Sequence, residues 1–330
     1  MKMLLLSLFL LASGIGAFAQ PAPVADTNLT LFGRGMYPGN DTTYTKLRKS
    51  GFTTIILSSF YIKANGDVYS GDDNRNPIIH DGQYVGDKAW LKRVASLKQQ
   101  PSSVTRIEIL LEGRWINQPP NTFDFIQDFS DAKKVIPGIT TGTGTNSTLY
   151  KITKIMKDEI GIDAVCIDDE SVYNSVSMIK YGEMIGRLNM HMSLCPFRNY
   201  KYWRDVIKGS KKGLIDAIYL QCYDGGMRNV PGRWKDSLGT KLPIYPIFLC
   251  RGAFSTCGTS HGSKTTNEIK GEMLRFKKGY PAMTGGAIWQ MADINNYVIR
   301  GCAVQMPESG TATTVTQFLD QLKRSLKEGL

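Results

Sequence analysis

Histidine is scarce in this 330-residue chain: His80, His191 and His261 are its only three. None stands at zinc-ligand spacing from another histidine or from the six cysteines, so no metal site is expected. A Gly-x-Ser-x-Gly elbow is also missing, which leaves a Ser/His/Asp hydrolase without support. Gly33-Arg34-Gly35 has no third glycine at the place a glycine-rich phosphate loop requires, which counts against a doubly wound open sheet, the alternative to a barrel; no cofactor is expected. After the first 19 residues no apolar run approaches the roughly 20 residues that a membrane-spanning helix needs. Six cysteines in a chain of this length do not make a disulfide-dense scaffold. Several of them fall in β-forming runs, where buried free thiols are the commoner explanation, and Cys250 with Cys257 is the one local pair offered as a loop staple.

Positive charge, by contrast, is plentiful, with a formal net charge of +11. The lysines and arginines are scattered along the chain and belong to no recognisable module, so nucleic acid is not an expected partner. A general attraction to acidic polymers or cell-envelope surfaces is the weaker consequence. Residues 1–19 have the layout of an export signal: Lys2 is the positive start, Leu4 to Ala12 the apolar core, and Ala17-Phe18-Ala19 the small-x-small cleavage site. The expected mature protein begins near Gln20, is secreted or periplasmic, and is a monomer.

At 330 residues with 42% hydrophobic content, the chain can bury one large core. Eight runs rich in β-branched, aromatic or other apolar residues can be picked out: Leu29–Met36, Thr53–Tyr61, Arg106–Trp115, Ala164–Glu170, His191–Phe197, Ala217–Asp224, Ile244–Arg251 and Gly285–Met291. Between them lie helical faces, such as Trp90, Val94 and Leu97, then Leu149, Ile152, Met156 and Ile160, then Met178, Tyr181, Ile185 and Leu188. A last helix from about Val315 to Leu326 would close an outer ring. Eight strands alternating with helices predict an α/β fold, a (β/α)8 TIM barrel in a single domain. The polar, glycine- and asparagine-rich stretch from Ile62 to Asp87 reads as a loop on the barrel face.

The most informative segment is Asp163-Ala-Val-Cys-Ile-Asp168-Asp169-Glu170-Ser171, an apolar strand that ends in three consecutive acids. Strand alternation puts Cys166, Asp168 and Glu170 on one side and Val165, Ile167 and Asp169 on the other. At the C-terminal mouth of a parallel barrel such a pair of carboxylates stands where barrel enzymes do their chemistry. The competing reading is a solvated loop, or a cap for the next helix.

This segment resembles the Asp-Gly-x-Asp-x-Asp-x-Glu signature of glycoside hydrolase family 18, the chitinases and endo-β-N-acetylglucosaminidases. Its Asp-Asp-Glu ending followed by Tyr173 is closer to the endo-β-N-acetylglucosaminidase branch. Gln221-Cys222-Tyr223-Asp224 is similar to that family's sixth-strand Met-x-Tyr-Asp, and Gly285-Gly286-Ala287-Ile288-Trp289 to its eighth-strand Gly-Gly-x-x-x-Trp. The sequence departs from the pattern at Ala164 for glycine, at Cys166 for an inward aspartate, and at Leu110-Leu-Glu-Gly113 for the third-strand Ser-x-Gly-Gly.

The resemblance implies a substrate containing N-acetylglucosamine and substrate-assisted, retaining hydrolysis. It makes Glu170 the general acid, Asp168 the group that orients the 2-acetamido nucleophile, and Tyr223, with Asp224 beside it, a donor to the acetamido oxygen. Trp289 would floor the sugar site, and Gln221, Tyr173, Trp115 and Tyr61 would line it. Phe197, Tyr200 and Trp203 are further strand-end aromatics, and Arg114, Arg198 and Arg251 are candidates to bind hydroxyls or pair the acids. The alternatives are a chitinase, a peptidoglycan hydrolase, or an inactive lectin-like barrel that binds amino-sugar glycans.

Overall fold

The computed structural model describes residues 21–113, 120–305 and 312–330. The leader expected at 1–19, and the positions of Arg114 and Trp115, lie outside them. Eight parallel strands close on themselves: β1 (Asn28–Phe32), β2 (Thr54–Ile62), then β6 (Arg106–Glu112), β7 (Ala164–Asp168), β8 (His191–Leu194), β9 (Ile215–Gln221), β10 (Ile244–Leu249) and β11 (Gly285–Trp289). Pairing of β1 with both β2 and β11 seals the ring, so the chain folds as the (β/α)8 barrel its sequence predicts. The three intervening strands, β3 (Val68–Ser70), β4 (Pro77–His80) and β5 (Gln83–Tyr84), form an antiparallel ribbon off the outer end of β2. The stretch expected as a loop is therefore partly strand. Its pieces are too short and too polar to carry a period of their own, and they depend on the edge of β2 for pairing.

Seven of the eight barrel strands stop short of the C-terminal end of their apolar runs, whereas β2 continues one residue further, to Ile62. The surplus residues, among them Glu170, Tyr223 and Arg251, leave the ladder and turn around the mouth. Strand alternation sorts the core in two. Leu29, Leu31, Ile55, Ile107, Ile109, Val165, Ile167, Ile218 and Phe248 face the helices, whereas Phe32, Ile56, Leu110, Cys166, Ala217, Ile247 and Ala287 fill the middle of the barrel. Gly285 is fixed by crowding: a Cβ there would stand 2.0 Å from the Asn28 carbonyl oxygen.

The helical faces read from sequence cover the outside of the barrel. Trp90, Val94, Ile152, Met156, Tyr181, Ile185, Phe318 and Leu322 are all buried. Helix starts are capped by side chains, with Asp87 accepting from Ala89 N, Ser147 from Tyr150 N, Asn174 from Ser177 N and Thr314 from Gln317 N. The cysteine pairing differs from the expected staple. Cys257 is bonded to Cys302, 45 residues away, and Cys250 is a free buried thiol. Cys250 continues β10 into the core under the helices, while Cys257 stands in the loop beyond and meets the start of the helix at Cys302–Gln305.

Below the apolar band the barrel interior is polar. Arg106, fully buried, donates through Nε to Glu108 Oε1 (2.7 Å) and through Nη1 and Nη2 to the two Asp216 oxygens (2.6 and 2.9 Å). Tyr219 and Ser193 hydroxyls also donate to Glu108, and Asn28 connects Tyr219 to Thr30 and Thr54. Removing one partner of such a network strands the other charge in the core. Arg106→Met is expected to lower unfolding free energy by about 3–5 kcal/mol in urea titrations, and adding Glu108→Gln should recover part of that loss. A single variant as stable as the parent would show that the network contributes nothing.

Candidate active site

The ends of β7 and β9 bring two carboxyl groups and one amide together. Gln221 Nε2 lies 3.0 Å from Asp168 Oδ1, 2.9 Å from Glu170 Oε1 and 3.2 Å from the Cys195 carbonyl oxygen. An amide nitrogen has two hydrogens, so three acceptors exceed its capacity. A proton held between Asp168 and Glu170 relieves both that shortage and the repulsion between them. Burial pushes the Asp168 carboxyl well above its ordinary range, and the neighbouring Glu170 and Glu112 push it further. Burial also raises Glu170; the Gln221 amide and the Arg198 charge oppose the rise, and Glu112 adds to it.

Asp169, between them in sequence, turns away into the loop. Its carboxylate accepts from the backbone N–H groups of Ser171 (3.2 Å), Val172 (2.9 Å) and Tyr173 (2.9 Å). The middle acid thus folds the turn that aims Glu170 back at Gln221. Tyr173 takes a left-handed backbone (φ 51°), and Arg198 holds both its hydroxyl (2.9 Å) and the Glu170 carbonyl oxygen (3.0 Å).

Opposite, the rings of Tyr223 and Trp289 stack at 6.0 Å, and Trp289 also meets Phe32 at 5.1 Å. Burial raises the Tyr223 phenol, and the nearby Asp168 and Glu170 carboxyl groups add to the rise. It stays a neutral donor. Tyr61, almost fully buried, points its hydroxyl at Glu112 Oε2 (3.4 Å). Asp224 is placed differently: its carboxylate is 60% exposed and lies 3.3 Å from His261 Nδ1. Trp203 is core, its indole N–H given to the Arg198 carbonyl (2.9 Å), and Arg251 lies 3.7 Å from Glu268.

Two residues of the mouth were not singled out from sequence. Glu112 ends β6 in register with Asp168 on β7, and so places a third carboxyl group beside the pair. Arg34 follows β1, with Glu112, Asp72 and Asp293 as its acidic neighbours. Asp72 in turn accepts from Gly35 N (2.8 Å) and Tyr37 N (3.0 Å), pinning the loop that carries Arg34. The signal for Glu112 was present as a carboxylate at the end of a β-forming run, in phase with the inward residues Glu108 and Leu110. Among the described residues no group of three or more histidine, cysteine, aspartate or glutamate side chains could hold a metal ion.

No family model and no curated sequence matches this chain. Its structure is similar to a family 18 chitinase from Flavobacterium johnsoniae, with 10% identity and a TM-score of 0.53 over 90% of this chain and 93% of that one. It is similar also to a chitinase from Bacteroides thetaiotaomicron, with 12% identity and a TM-score of 0.54 over 92% and 97%. The likeness is one of fold, the (β/α)8 barrel. Among the described residues no helix is long and apolar enough to cross a membrane.

The buried pair has a thermodynamic signature. A carboxyl group whose folded value is raised contributes its full stability below the unfolded value, near 4, and loses it as pH rises through the folded value. Asp168→Asn removes that penalty. It is expected to raise the melting temperature at pH 7–8 by about 2–4 °C per kcal/mol relieved, with the difference vanishing by about pH 4 in scans across pH. A variant less stable than the parent at every pH would contradict a raised Asp168.

Proposed function

We propose that this protein is a secreted glycoside hydrolase that cleaves a β-linked N-acetylglucosamine bond by substrate-assisted, retaining catalysis, in the manner of an endo-β-N-acetylglucosaminidase. The observation that carries the reading is the Gln221 amide joining Asp168 and Glu170. It supports one carboxyl group kept protonated beside another at the mouth of the barrel, as glycosidic bond cleavage by a single acid requires. The two chitinases that share the fold and the sequence likeness to family 18 support the same substrate class. Export rests on the leader-like residues 1–19.

In this mechanism Glu170 gives its proton to the glycosidic oxygen as the C1–O bond breaks, and the leaving sugar departs as an alcohol. The proton held between the two acids goes to Glu170 as the substrate enters; the acetamido oxygen then forms the new bond to C1, and the Asp168 carboxylate so freed accepts the acetamido N–H and stabilises its developing positive charge. Tyr223 donates to the acetamido oxygen, and Trp289 floors the ring. Water then attacks C1, giving its proton to the Glu170 carboxylate, and the acetamido group is released unchanged. Attack from the substrate itself removes the need for an enzymatic nucleophile on the opposite face.

The deciding experiment sets parent and Glu170→Gln proteins against high-mannose N-glycopeptide, chitooligosaccharides and peptidoglycan fragments, with product masses recorded. The parent is expected to release products ending in N-acetylglucosamine, and Glu170→Gln to lose about a hundredfold or more in kcat while still binding glycan. Cleavage undiminished in the variant would remove Glu170 from the chemistry. Binding without cleavage by the parent would make the barrel a lectin.

A further inference from the structure

We infer that the floor of the barrel, the end opposite the mouth, docks reversibly on the surface of an anionic phospholipid membrane and leaves the mouth facing away from it. The docking face is independent of the chemistry at Asp168 and Glu170. It is built by two neighbouring turns that lead from helices into strands, 188–190 before β8 and 210–214 before β9. Between them lies a cleft of about 550 Å³, lined by Pro21, Arg187, His191, Lys211 and Lys212, with Glu183 as its one acid.

Four exposed cations crowd this face: Arg187, Lys208, Lys211 and Lys212. Lys157 adds a fifth, donating to the Leu188 carbonyl oxygen (2.5 Å). Among the described residues none of the four is in a salt bridge, and Arg187 is bonded to a backbone carbonyl, that of Thr143 (2.5 Å). Acids close by in the chain are committed elsewhere, Asp205 to Lys201 (2.9 Å) and Asp216 to Arg106 (2.6 Å). Arg187 and Lys208 have a local use, since they stand in the last turns of their helices, where a cation complements the helix dipole. Lys211 and Lys212 stand beyond the helix end, where that attraction has fallen off. Unneutralised like charges on one face repel each other, and an anionic surface removes that cost.

The path of the chain selects a membrane over a soluble polymer. Pro21 lines the basic cleft, and the residue after it is tied under the barrel: Ala22 N donates to Asp163 Oδ1 (3.1 Å), and the Ala22 carbonyl accepts from Arg106 Nη1 (3.0 Å). The leader expected at 1–19, with its apolar core from Leu4 to Ala12, joins the chain at this face. The segment that enters the membrane during export is thus followed directly by the face that carries the cations, and the cations remain once the leader is removed. A basic residue beside an anionic lipid surface contributes about fivefold in affinity, and the contribution falls off within a Debye length, about 10 Å at 0.1 M salt. With no apolar chain inserted, such attachment is reversible.

The test is co-sedimentation of the exported protein, residues 20–330, with vesicles of phosphatidylcholine, pure or mixed with about one third phosphatidylglycerol. Binding is expected to the mixed vesicles alone, and release as salt rises from about 0.1 M to about 0.5 M. The floor quartet Arg187→Gln, Lys208→Gln, Lys211→Gln and Lys212→Gln should weaken binding about a hundredfold or more. A matched quartet at the other end, where helices begin, is Lys88→Gln, Lys201→Gln, Arg228→Gln and Arg233→Gln. It removes the same charge and should cost less than about threefold, because its residues stand more than a Debye length from the docked surface. Thermal melts check that both quartets fold; if the floor quartet does not, Lys211→Gln with Lys212→Gln alone should cost about twentyfold. Equal losses in the two quartets overturn the docking face in favour of attraction by net charge. Equal binding to pure and mixed vesicles overturns it too. So does a floor quartet that loses binding to soluble dextran sulfate but keeps it to vesicles, which would make the partner an acidic polymer.

Discussion

The buried Arg106 guanidinium is the contact on which the rest of the barrel depends. A parallel barrel has a closed interior that side chains must fill, and this one fills its N-terminal end with polar groups. Glu108, Tyr219, Ser193, Asn28 and Thr54 would be costly there without a cation and a connected set of donors. Arg106 supplies the cation, bonds Glu108 inside the barrel, and reaches Asp216 at the start of β9. It also donates to the Ala22 carbonyl (3.0 Å), so that the chain entering β1 is drawn under the barrel floor. Strands three places apart in the ring, β6 and β9, are thus tied by charge.

The upper end is built on the opposite principle. Glu112, Asp168 and Glu170 converge there, and the group bonded to two of them is a neutral amide. Arg34 and Arg198 stand to the sides, where they temper the field without neutralising the pair. A fully paired carboxylate would be stable and inert as an acid; a buried one short of partners holds its proton at neutral pH. The site therefore works against folding stability.

Much of this could be read from sequence because strand alternation and strand-end chemistry are local. The run from Ala164 to Asp168 shows its inward and outward residues directly, and Gln221 lies at the end of another such run. What escaped depends on neighbours far away in the chain. Glu112 looks like the last residue of an apolar strand until its register with Asp168 is known. Cys257 and Cys302 are brought within 5.2 Å, Cα to Cα, by two helices, Thr266–Gly279 and Met291–Ile299, and the strand β11 folded between them. The ribbon of β3 to β5 carries too few residues per strand for its pattern to exceed that of a polar loop. Asp224, sequence neighbour of Tyr223, turns to His261 because its backbone adopts a left-handed conformation (φ 43°).

Cys166 and Glu112 are best understood together. The inward position at 166 holds a thiol packed with Leu110 and Cys195 in the apolar band, where an acid would need a partner of its own. One strand over and one layer higher, Glu112 has the Tyr61 hydroxyl within 3.4 Å and Arg34 nearby. A carboxylate there is tolerated because it borders the mouth rather than the core. It still acts on Asp168 and Glu170 through space, since field strength depends on distance and on the dielectric, not on which strand carries the charge. The electrostatics of this mouth are therefore set by which strand ends reach the same layer of the barrel, and a motif read along one strand captures only part of them.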